Sequence, residues 1–398
     1  MSTTSAHDHG SWRRSLAPRA AGVVYAFVAL VAILTITSSV QGRPSYLSSV
    51  NLSNILDQSA LIAILAIFMT VVLISGNFDL SVASTAALAG TVALKTIDGY
   101  GPVVAILAAL VTGALVGLLN GVLVQKVGVN AFIVTLGTLT AVRGVVQAIL
   151  DGQSITAADS TLMDVATARW AMPIVVAVIL AVLLLAGAGL LIKRGGSVRS
   201  TAGLWASGLA LLLLALFRPL MLDQTISVWI MLLLVVLTAL TLRYTVIGRN
   251  LYAVGGNPEA ARLSGIDVDR YRMVAFVLNG TVAALVGVLY AGRFNSVDPT
   301  VLTGGELTVI AAAVLGGTSL FGGSGFVTKS VVGTLILFTL SNGFNVLNIG
   351  SNYQNVVQGT VLVAAASLYT ATSGRERRKL RAALKKEKPP APAELVRS

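Results

Sequence analysis

The sequence predicts an all-α, polytopic membrane protein with about 10–12 transmembrane helices, some of them broken or re-entrant. Hydrophobic residues make up 55% of the 398-residue chain and charged residues only 11%, against about 25% charged residues in soluble domains. Apolar segments of about the length that crosses a bilayer, ~20 residues, also follow one another along most of the chain. These observations exclude an ordinary soluble enzyme, because so few charges cannot cover a water-facing surface.

Twelve apolar segments are candidates for spans. They lie near residues 22–40, 55–75, 80–97, 102–125, 129–150, 171–192, 202–220, 226–243, 272–292, 301–320, 326–347 and 353–371. We interpret the first as a retained anchor, because its apolar run is long for a signal peptide and no small-residue cleavage site follows it. The segments 80–97 and 129–150 are rich in Ser, Thr and Gly, and are the candidates for broken or re-entrant helices.

The basic residues predict that both chain ends are cytoplasmic. With that orientation most of the 28 Lys and Arg residues fall in cytoplasmic loops and tails, as the positive-inside rule requires. The chain then divides into a cytoplasmic tail, 1–20, a single membrane domain, 21–372, and a basic cytoplasmic tail, 373–398. The topology accounts for the net charge of +12, so a nucleic-acid partner is not needed to explain that charge. We expect the C-terminal tail to lie along the anionic inner leaflet or to be solvated.

The residue types also limit the chemistry. The chain contains no cysteine, and both histidines, His7 and His9, precede the first span. Disulfides, thiolate metal sites and cysteine nucleophiles are therefore excluded. We predict no catalytic, metal-binding or cofactor-binding residue, and hence no enzyme. The loops are too short to hold an ATPase, so any ATP hydrolysis is expected on another chain.

Two glycine-punctuated breaks resemble each other in pattern. Residues 73–81 read LISGNFDLS and residues 319–327 read SLFGGSGFV, and each stands between two apolar segments. Paired breaks in two halves of a transporter point to the translocation path, because unwound backbone is tolerated only where it lines a cavity or packs on protein. The alternative is two ordinary tight turns.

The cytoplasmic loop 243–272 carries the clearest local signal. Asn257 is a helix-capping residue, Pro258 suits the first helical position and Glu259 complements the helix dipole. A short helix is expected to follow and to end at Gly265. With Arg262 as its basic face, this helix is either a docking element for a partner protein or a connector between two spans.

The residues of this loop carry a family resemblance. Glu259-Ala260-Ala261-x-x-x-Gly265 resembles the coupling loop of ABC importer permeases, which docks into the nucleotide-binding subunit. The resemblance assigns ATPase coupling to a run of nine residues: Asn257, Pro258, Glu259, Ala260, Ala261, Arg262, Leu263, Ser264 and Gly265. The chain lacks the proline that follows this motif in the general ABC pattern, since Ala275 stands there.

A wider pattern resembles the permeases of ribose- and xylose-type sugar importers. It includes the surroundings of the coupling loop, Asp79-Leu80-Ser81-Val82, and Gly316-Gly317-Thr318-Ser319-Leu320. The resemblance covers residues 47–371, and the extra pair of segments near 171–220 is similar to the xylose-type branch. Ala83 and Thr308 depart from the family pattern, and they leave the identity of the cargo open.

The resemblance implies the permease subunit of an ATP-driven, binding-protein-dependent importer of a monosaccharide, such as the pentose xylose. It implies a multi-pass protein of the bacterial inner membrane that pairs with a second copy of itself. It also implies a cytoplasmic ABC ATPase, which carries the ATP and Mg²⁺, and an extracytoplasmic sugar-binding protein.

Seven polar residues are candidates for the translocation path: Asn77, Asp79, Ser81, Arg143, Glu306, Asn342 and Asn345. An ionised group at the membrane centre costs at least ~2.5 kcal/mol on insertion scales, so such a group needs a partner or a role. Asp79 either lines the path or caps a helix that starts at Leu80. Arg143 is predicted to pair with Asp79 or Glu306.

Three amides, Asn342, Asn345 and Asn348, are spaced to share one helix face. Amides suit sugar hydroxyls, because they both donate and accept hydrogen bonds, and they suit contacts between helices equally well.

Two alternatives to a sugar importer stay open. The same machinery could carry another small neutral solute, such as a nucleoside; an amino acid is disfavoured, because no counter-charge for it is evident. An ion-coupled secondary carrier normally needs an acidic relay in the membrane, and Asp79 is the only candidate well inside.

Overall fold

The fold is built almost entirely of α-helices. The computed structural model describes residues 18–193 and 198–349, together with positions 353, 356, 359, 360 and 363. In chain order the helices are α1 Pro18–Val40, α2 Ser49–Ile74, α3 Val82–Val122, α4 Ala131–Leu150, α5 Thr161–Thr167, α6 Ile174–Lys193, α7 Val198–Phe217, α8 Ile226–Tyr244, α9 Val246–Gly256, α10 Pro258–Leu263, α11 Val268–Phe294, α12 Gly305–Leu315 and α13 Val327–Val346. A π-helical turn, Leu123–Val127, extends α3, and a 3₁₀ turn, Pro219–Leu222, follows α7.

Eight helices in the described part of the chain are long and apolar enough to cross a membrane: α1, α2, α3, α4, α6, α8, α11 and α13. The all-α, polytopic class is therefore confirmed. Two further helices, α7 and α12, have shorter apolar stretches, Ser207–Phe217 and Gly305–Leu315. Residues 351–398 form a separate unit with five described positions. Most of the predicted segment 353–371, and the tails 1–17 and 373–398, lie outside the described residues.

Helix α3 contains two predicted segments, joined at a sharp bend. Gly101 has φ 77° and ψ 171° and precedes Pro102, a pairing that interrupts a helix by both backbone geometry and a missing N–H. The arms, 82–100 and 102–122, fold into a hairpin, because Asn120 Nδ2 at the end of the second donates to Ser81 Oγ just before the first, at 2.9 Å.

The expected break in segment 129–150 is wrong. Helix α4 is continuous over Ala131–Leu150. Its Thr and Gly residues are compatible with helix when Thr hydroxyls bond back to carbonyls, as Thr135 Oγ1 does to Ala131 O at 2.8 Å. The interrupted span is instead 301–320, where α12 ends at Leu315 and an irregular loop continues to Phe326.

The α3 hairpin packs on α11 through small residues. A Cβ at Gly113 would overlap the carbonyl oxygen of Gly280, and a Cβ at Gly117 would overlap that of Phe276. On the other arm, a Cβ at Gly287 would overlap the carbonyl oxygen of Ala86. Glycine at these positions lets the backbones approach closely, which is the usual basis of tight helix packing in membranes.

Helix α2 forms the centre of the fold, with most of its length buried. Side chains fasten it to α13 at two levels. Thr70 and Ser330 share a hydrogen bond of 2.7 Å, and the Tyr46 hydroxyl, just before α2, donates to Thr339 O at 2.9 Å. The core therefore lies around α2, α11 and the α3 hairpin.

A small cap covers the end of the bundle that the orientation assigns to the outside. Strands β1 Arg169–Ala171 and β2 Asp223–Thr225 pair antiparallel, with Arg169 opposite Thr225. A second bridge joins Ile155 to Val297. Apart from Ala171, which begins the predicted segment 171–192, these residues belong to loops predicted to lie on the outer side, so the folded contacts agree with that assignment.

Candidate functional site

The predicted helix of the cytoplasmic loop is present as α10. The Asn257 side chain accepts a hydrogen bond from Ala260 N at 3.0 Å, Pro258 occupies the first helical position, and Glu259 lies in the first turn. The chain leaves the helix through Ser264 and Gly265, whose φ is 79°. The local sequence reasoning on capping is thus confirmed, with a helix of six residues inside the predicted nine-residue run.

One side of α10 is buried and the other is open. Ala261 packs with Val254 and Val268 in a small buried cluster, whereas Leu263 is 91% exposed. The predicted basic face is partly neutralised, because Arg262 Nη2 lies 2.7 Å from Asp269 Oδ1. The open side of α10 therefore presents an apolar residue beside Glu259 and a paired arginine.

The end of α9 brings the two glycine-punctuated breaks together. Gly323 N donates to Ile74 O at 2.9 Å, so the break after α2 contacts the break before α13. A Cβ at Gly255 would overlap the carbonyl oxygen of Ile74, and a Cβ at Gly322 would lie 2.8 Å from Gly76 Cα. We call this meeting of Ile74–Gly76, Gly255–Gly256 and Gly322–Gly323 the glycine joint.

Two side-chain hydrogen bonds hold the cytoplasmic loop at the glycine joint, and a third fastens the loop to itself. The Tyr252 hydroxyl donates to Gly325 O at 2.8 Å, and Arg272 Nε donates to Ser75 O at 3.1 Å. Asn250 Nδ2 donates to the Tyr271 hydroxyl at 2.7 Å. Burial raises the pKa of Tyr252 above its ordinary value, which further favours the protonated hydroxyl that acts as the donor.

Tyr252 and Arg272 are joint residues that were not predicted from the sequence. Tyr252 stands five residues before Asn257, and one signal for it was its place in the glycine-rich pattern around the loop. Arg272 marks the start of an apolar segment, where a basic residue is ordinary. Nothing in either position indicates a carbonyl partner far along the chain.

Asp79 and Ser81 begin a buried polar network. Asp79 Oδ1 accepts hydrogen bonds from Ser81 N, at 3.0 Å, and Ser81 Oγ, at 2.6 Å. Its Oδ2 accepts from Asn279 Nδ2 on α11 at 2.9 Å. The network continues from Ser81 to Asn120 and from there to Thr138, whose hydroxyl donates to Asn120 Oδ1 at 2.7 Å. It joins the α2–α3 turn to α3, α4 and α11.

This geometry gives Asp79 a structural contact of the capping kind. Its carboxylate accepts from Ser81 N, and α3 begins at Val82 rather than at Leu80. Asn77, also buried, donates from Nδ2 to Ser75 Oγ at 3.2 Å. A lining role for these residues stays a prediction.

The predicted pairing of Arg143 with Asp79 is wrong. Arg143 Nη1 donates to the carbonyl oxygens of Val301, at 2.7 Å, and Pro299, at 3.2 Å. The alternative pairing with Glu306 is not formed either, since Glu306, half-buried in the first turn of α12, makes no ion pair with Arg143. Two backbone carbonyls therefore bind the arginine in place of a carboxylate, and scarcity of charge gave no indication of them.

The three amides do not share one face. Asn342 is buried and donates from Nδ2 to Asn51 Oδ1 on α2 at 2.9 Å, which supports a contact between helices. Asn345 is exposed on α13. Asn348 lies beyond the end of α13 with φ 53°, so its predicted place on the helix face is wrong.

The candidate path residues fall into separate groups. Asn77, Asp79 and Ser81 lie by the glycine joint, whereas Arg143 contacts the outer loop that precedes α12. Asn342 bonds to α2 at the N-terminal end of that helix, whereas the glycine joint lies at its C-terminal end. The structure therefore does not bring the candidates together into one site. The described residues contain no cluster of His, Cys, Asp or Glu that could hold a metal ion.

Comparison with known proteins places these features in a family. The family model described as branched-chain amino acid transport system / permease component matches residues 51–366. The ribose import permease protein RbsC of Escherichia coli (strain K12) is 34% identical over 339 residues, covering 85% of this chain and 90% of that protein.

Xylose-system relatives match over a similar length. The xylose transport system permease protein XylH of Escherichia coli (strain K12) is 34% identical over 371 residues, covering 88% of this chain and 92% of that protein. XylH of Haemophilus influenzae is 32% identical over 361 residues, covering 87% and 96%. No solved structure matches the chain.

Proposed function

The chain belongs to the permease family described as branched-chain amino acid transport system / permease component, and from this membership we propose that it is the membrane-spanning subunit of an ATP-driven monosaccharide importer. It is a multi-pass protein of the bacterial inner membrane. The observation that carries the proposal is the agreement of sugar-permease relatives over 85–88% of the chain.

The proposed cargo is a pentose. Relatives named for ribose and for xylose match at the same 34% identity, so identity alone does not separate the two sugars. The alignment with the xylose permease is longer and leaves less of either chain unmatched. Xylose is therefore the sugar to test first, with ribose beside it.

We propose that a cytoplasmic ABC ATPase docks on α10 and carries the ATP and Mg²⁺. Leu263 and Phe321 support this, since both lie outside the spans and are 91% and 93% exposed. Apolar side chains that are this exposed on the cytoplasmic side are available for contact with a partner protein. In this proposal a second copy of the chain completes the pore, and an outer sugar-binding protein delivers the cargo.

The glycine joint supplies a route for coupling. Helix α9 leads directly into α10 through Asn257, and its end contacts both chain breaks. A displacement of α10 by the ATPase would therefore be carried through Tyr252 and Arg272 to residues 325 and 75. In our proposal this moves the two breaks together and alternates access to the pore.

The test is co-purification followed by transport. The tagged chain, solubilised gently from its own membrane, is expected to retain an ATPase, and Glu259→Ala and Leu263→Ser are expected to weaken that association. Arg249→Ala, in the same cytoplasmic loop but outside α10, is the control. Proteoliposomes with the ATPase and binding protein should then take up labelled xylose or ribose only with ATP. Uptake by the chain alone along an ion gradient would contradict the proposal.

An amino acid is the second candidate cargo, because the family description names that class. A zwitterion calls for fixed partners for its carboxylate and ammonium groups. Asp79 and Arg143 are the best-placed charges, and both are engaged, Asp79 by three hydrogen bonds and Arg143 by two carbonyls. Excess leucine in the same uptake assay distinguishes the two candidate cargoes. If leucine competes with labelled pentose for uptake, the result favours the amino acid.

A further inference from the structure

The outer cap is fastened to α2 by a group of polar contacts around Asp57. Asp57 is 7% exposed, and its Oδ1 accepts a hydrogen bond from the Thr225 hydroxyl at 2.6 Å. Its Oδ2 lies 3.4 Å from Arg169 Nη1, and its carbonyl oxygen accepts from Arg293 Nη1 at 2.8 Å. Helices α2 and α11 and strands β1 and β2 therefore meet here.

A cavity lies against this group. It has a volume of about 170 Å³ and is lined by Ala166, Thr167, Thr225, Ser227 and Arg293. At ~30 Å³ of liquid volume for each water, it holds about five or six waters. Such a space is large enough to hold a single sugar ring.

Two lining groups have hydrogen-bonding capacity to spare. Ser227 is 2% exposed as a residue, and its hydroxyl forms no hydrogen bond among the described residues. Within the same part of the chain Arg293 makes one hydrogen bond, to Asp57 O, although a guanidinium carries five N–H donors. A serine hydroxyl without a protein partner beside a cavity is available to bind a ligand or water.

The hydroxyls of the other two polar lining residues are left with acceptor capacity. Thr225 has given its proton to Asp57 Oδ1, and Thr167 has given its proton to Met163 O at 2.6 Å. The cavity therefore offers donors from Arg293, acceptors from two threonines, and either from Ser227. An anion would use the donors alone, and it would lie near the like-charged Asp57 carboxylate. A hydroxylated ligand uses both donors and acceptors.

We propose that this cavity is an outer transit site that binds one neutral monosaccharide ring through its hydroxyls. The inference rests on the proposed function, because it places the sugar between its release on the outer side and its entry into the path. In this reading Arg293 and Ser227 bind sugar oxygens, and Asp57 positions Arg293 and Thr225.

Binding to the purified chain tests the site without the rest of the importer. The chain has four tryptophans, and Trp12→Phe with Trp205→Phe leaves Trp170 and Trp229 as fluorescent reporters at the cap. Their rings contact each other at 5.5 Å, and Trp229 lies two residues beyond Ser227. In lipid nanodiscs without ATPase or binding protein, D-xylose or D-ribose is expected to give a saturable fluorescence change.

Matched variants separate the cavity from general effects. Ser227→Val removes the free hydroxyl and fills space, and Arg293→Lys removes the fork of donors; each is expected to weaken sugar binding about tenfold or more. Ser207→Val, on an exposed serine of α7, and Arg218→Lys, whose arginine donates to Leu47 O at 3.0 Å, should leave it unchanged. Thermal unfolding of each variant reports whether it is folded.

The outcomes divide clearly. No saturable binding by the unaltered chain, or equal binding by folded Ser227→Val and Arg293→Lys variants, overturns the transit site. Displacement of the sugar by inorganic phosphate also overturns it, in favour of an anion site. If reconstituted ATP-driven uptake persists while direct binding is absent, the transit site fails and the proposed function stands. If binding is present while uptake needs no ATP, the proposed function fails instead.

Discussion

At the scale of the residue, Asp79 shows how a buried carboxylate is accommodated. It receives hydrogen bonds from Ser81 and Asn279, and through Ser81 it is connected to Asn120 and Thr138. A carboxylate that accepts several hydrogen bonds is compatible with burial, because its lone pairs are satisfied. The residue thus stabilises the turn that leads into the α3 hairpin and the contact of that turn with α11.

Asp79→Ala is expected to destabilise the protein by about 2–4 kcal/mol, because it leaves the donors of Ser81 and Asn279 buried without an acceptor. Thermal unfolding in detergent, followed by fluorescence, measures the change. Asp164→Ala, on the exposed helix α5, is the control and should unfold at nearly the original temperature. An unchanged Asp79→Ala variant would mean that the network adds nothing to stability.

Adjacent glycines give a sharper test of the joint. Gly255→Ala places a Cβ into the carbonyl oxygen of Ile74, whereas Gly256→Ala meets only Gly323 Cα, at 3.9 Å. We expect Gly255→Ala to reduce ATP-driven uptake at least tenfold, since it forces α9 away from the break, and Gly256→Ala to retain most of it. Equal uptake by the two variants would show that the close contact is not required.

At the scale of the element, local rules explain what the sequence could and could not predict. Helix α10 was predictable, because Asn257, Pro258 and Gly265 define its ends through neighbouring atoms alone. The strands β1 and β2 were not, because three residues have no periodicity and their pairing depends on contacts between Arg169 and Thr225. Hydropathy correctly separates the two apolar segments on either side of Gly101. It does not show that the two segments fold back on each other as a hairpin.

The partner of a buried polar residue was the least predictable feature. Arg143 was expected to find a carboxylate, and it finds the carbonyls of residues 299 and 301. Backbone acceptors occur at every position, so sequence composition gives no signal for them. Asn342 was correctly considered for a contact between helices, but only the fold identifies Asn51 as its partner.

At the scale of the whole molecule, the orientation in the membrane can be tested directly. The chain has no native cysteine, so a single introduced cysteine reports its own position. We expect a membrane-impermeant maleimide to label Ser154→Cys, in the outer loop, on cells whose outer membrane is permeabilised and whose inner membrane is intact. Ser264→Cys, after α10, should react only after the inner membrane is opened.

Both serines are exposed and replaced by a residue of similar size, so the pair serves as its own control. Labelling in the opposite order would reverse the assignment of the glycine joint and the cap to their sides. It would then remove the basis for docking an ATPase on α10. The contacts within the fold are independent of this result.

The glycine joint carries an implication for how such a protein can change over generations. Its surfaces are main-chain atoms contributed by Gly76, Gly255 and Gly322, and main chain is the same whatever the cargo. In the proposed importer, residues that contact the cargo can therefore change by mutation while the joint stays constant. The joint itself does not tolerate neutral substitution at Gly255, because every other amino acid adds an atom where a carbonyl already lies.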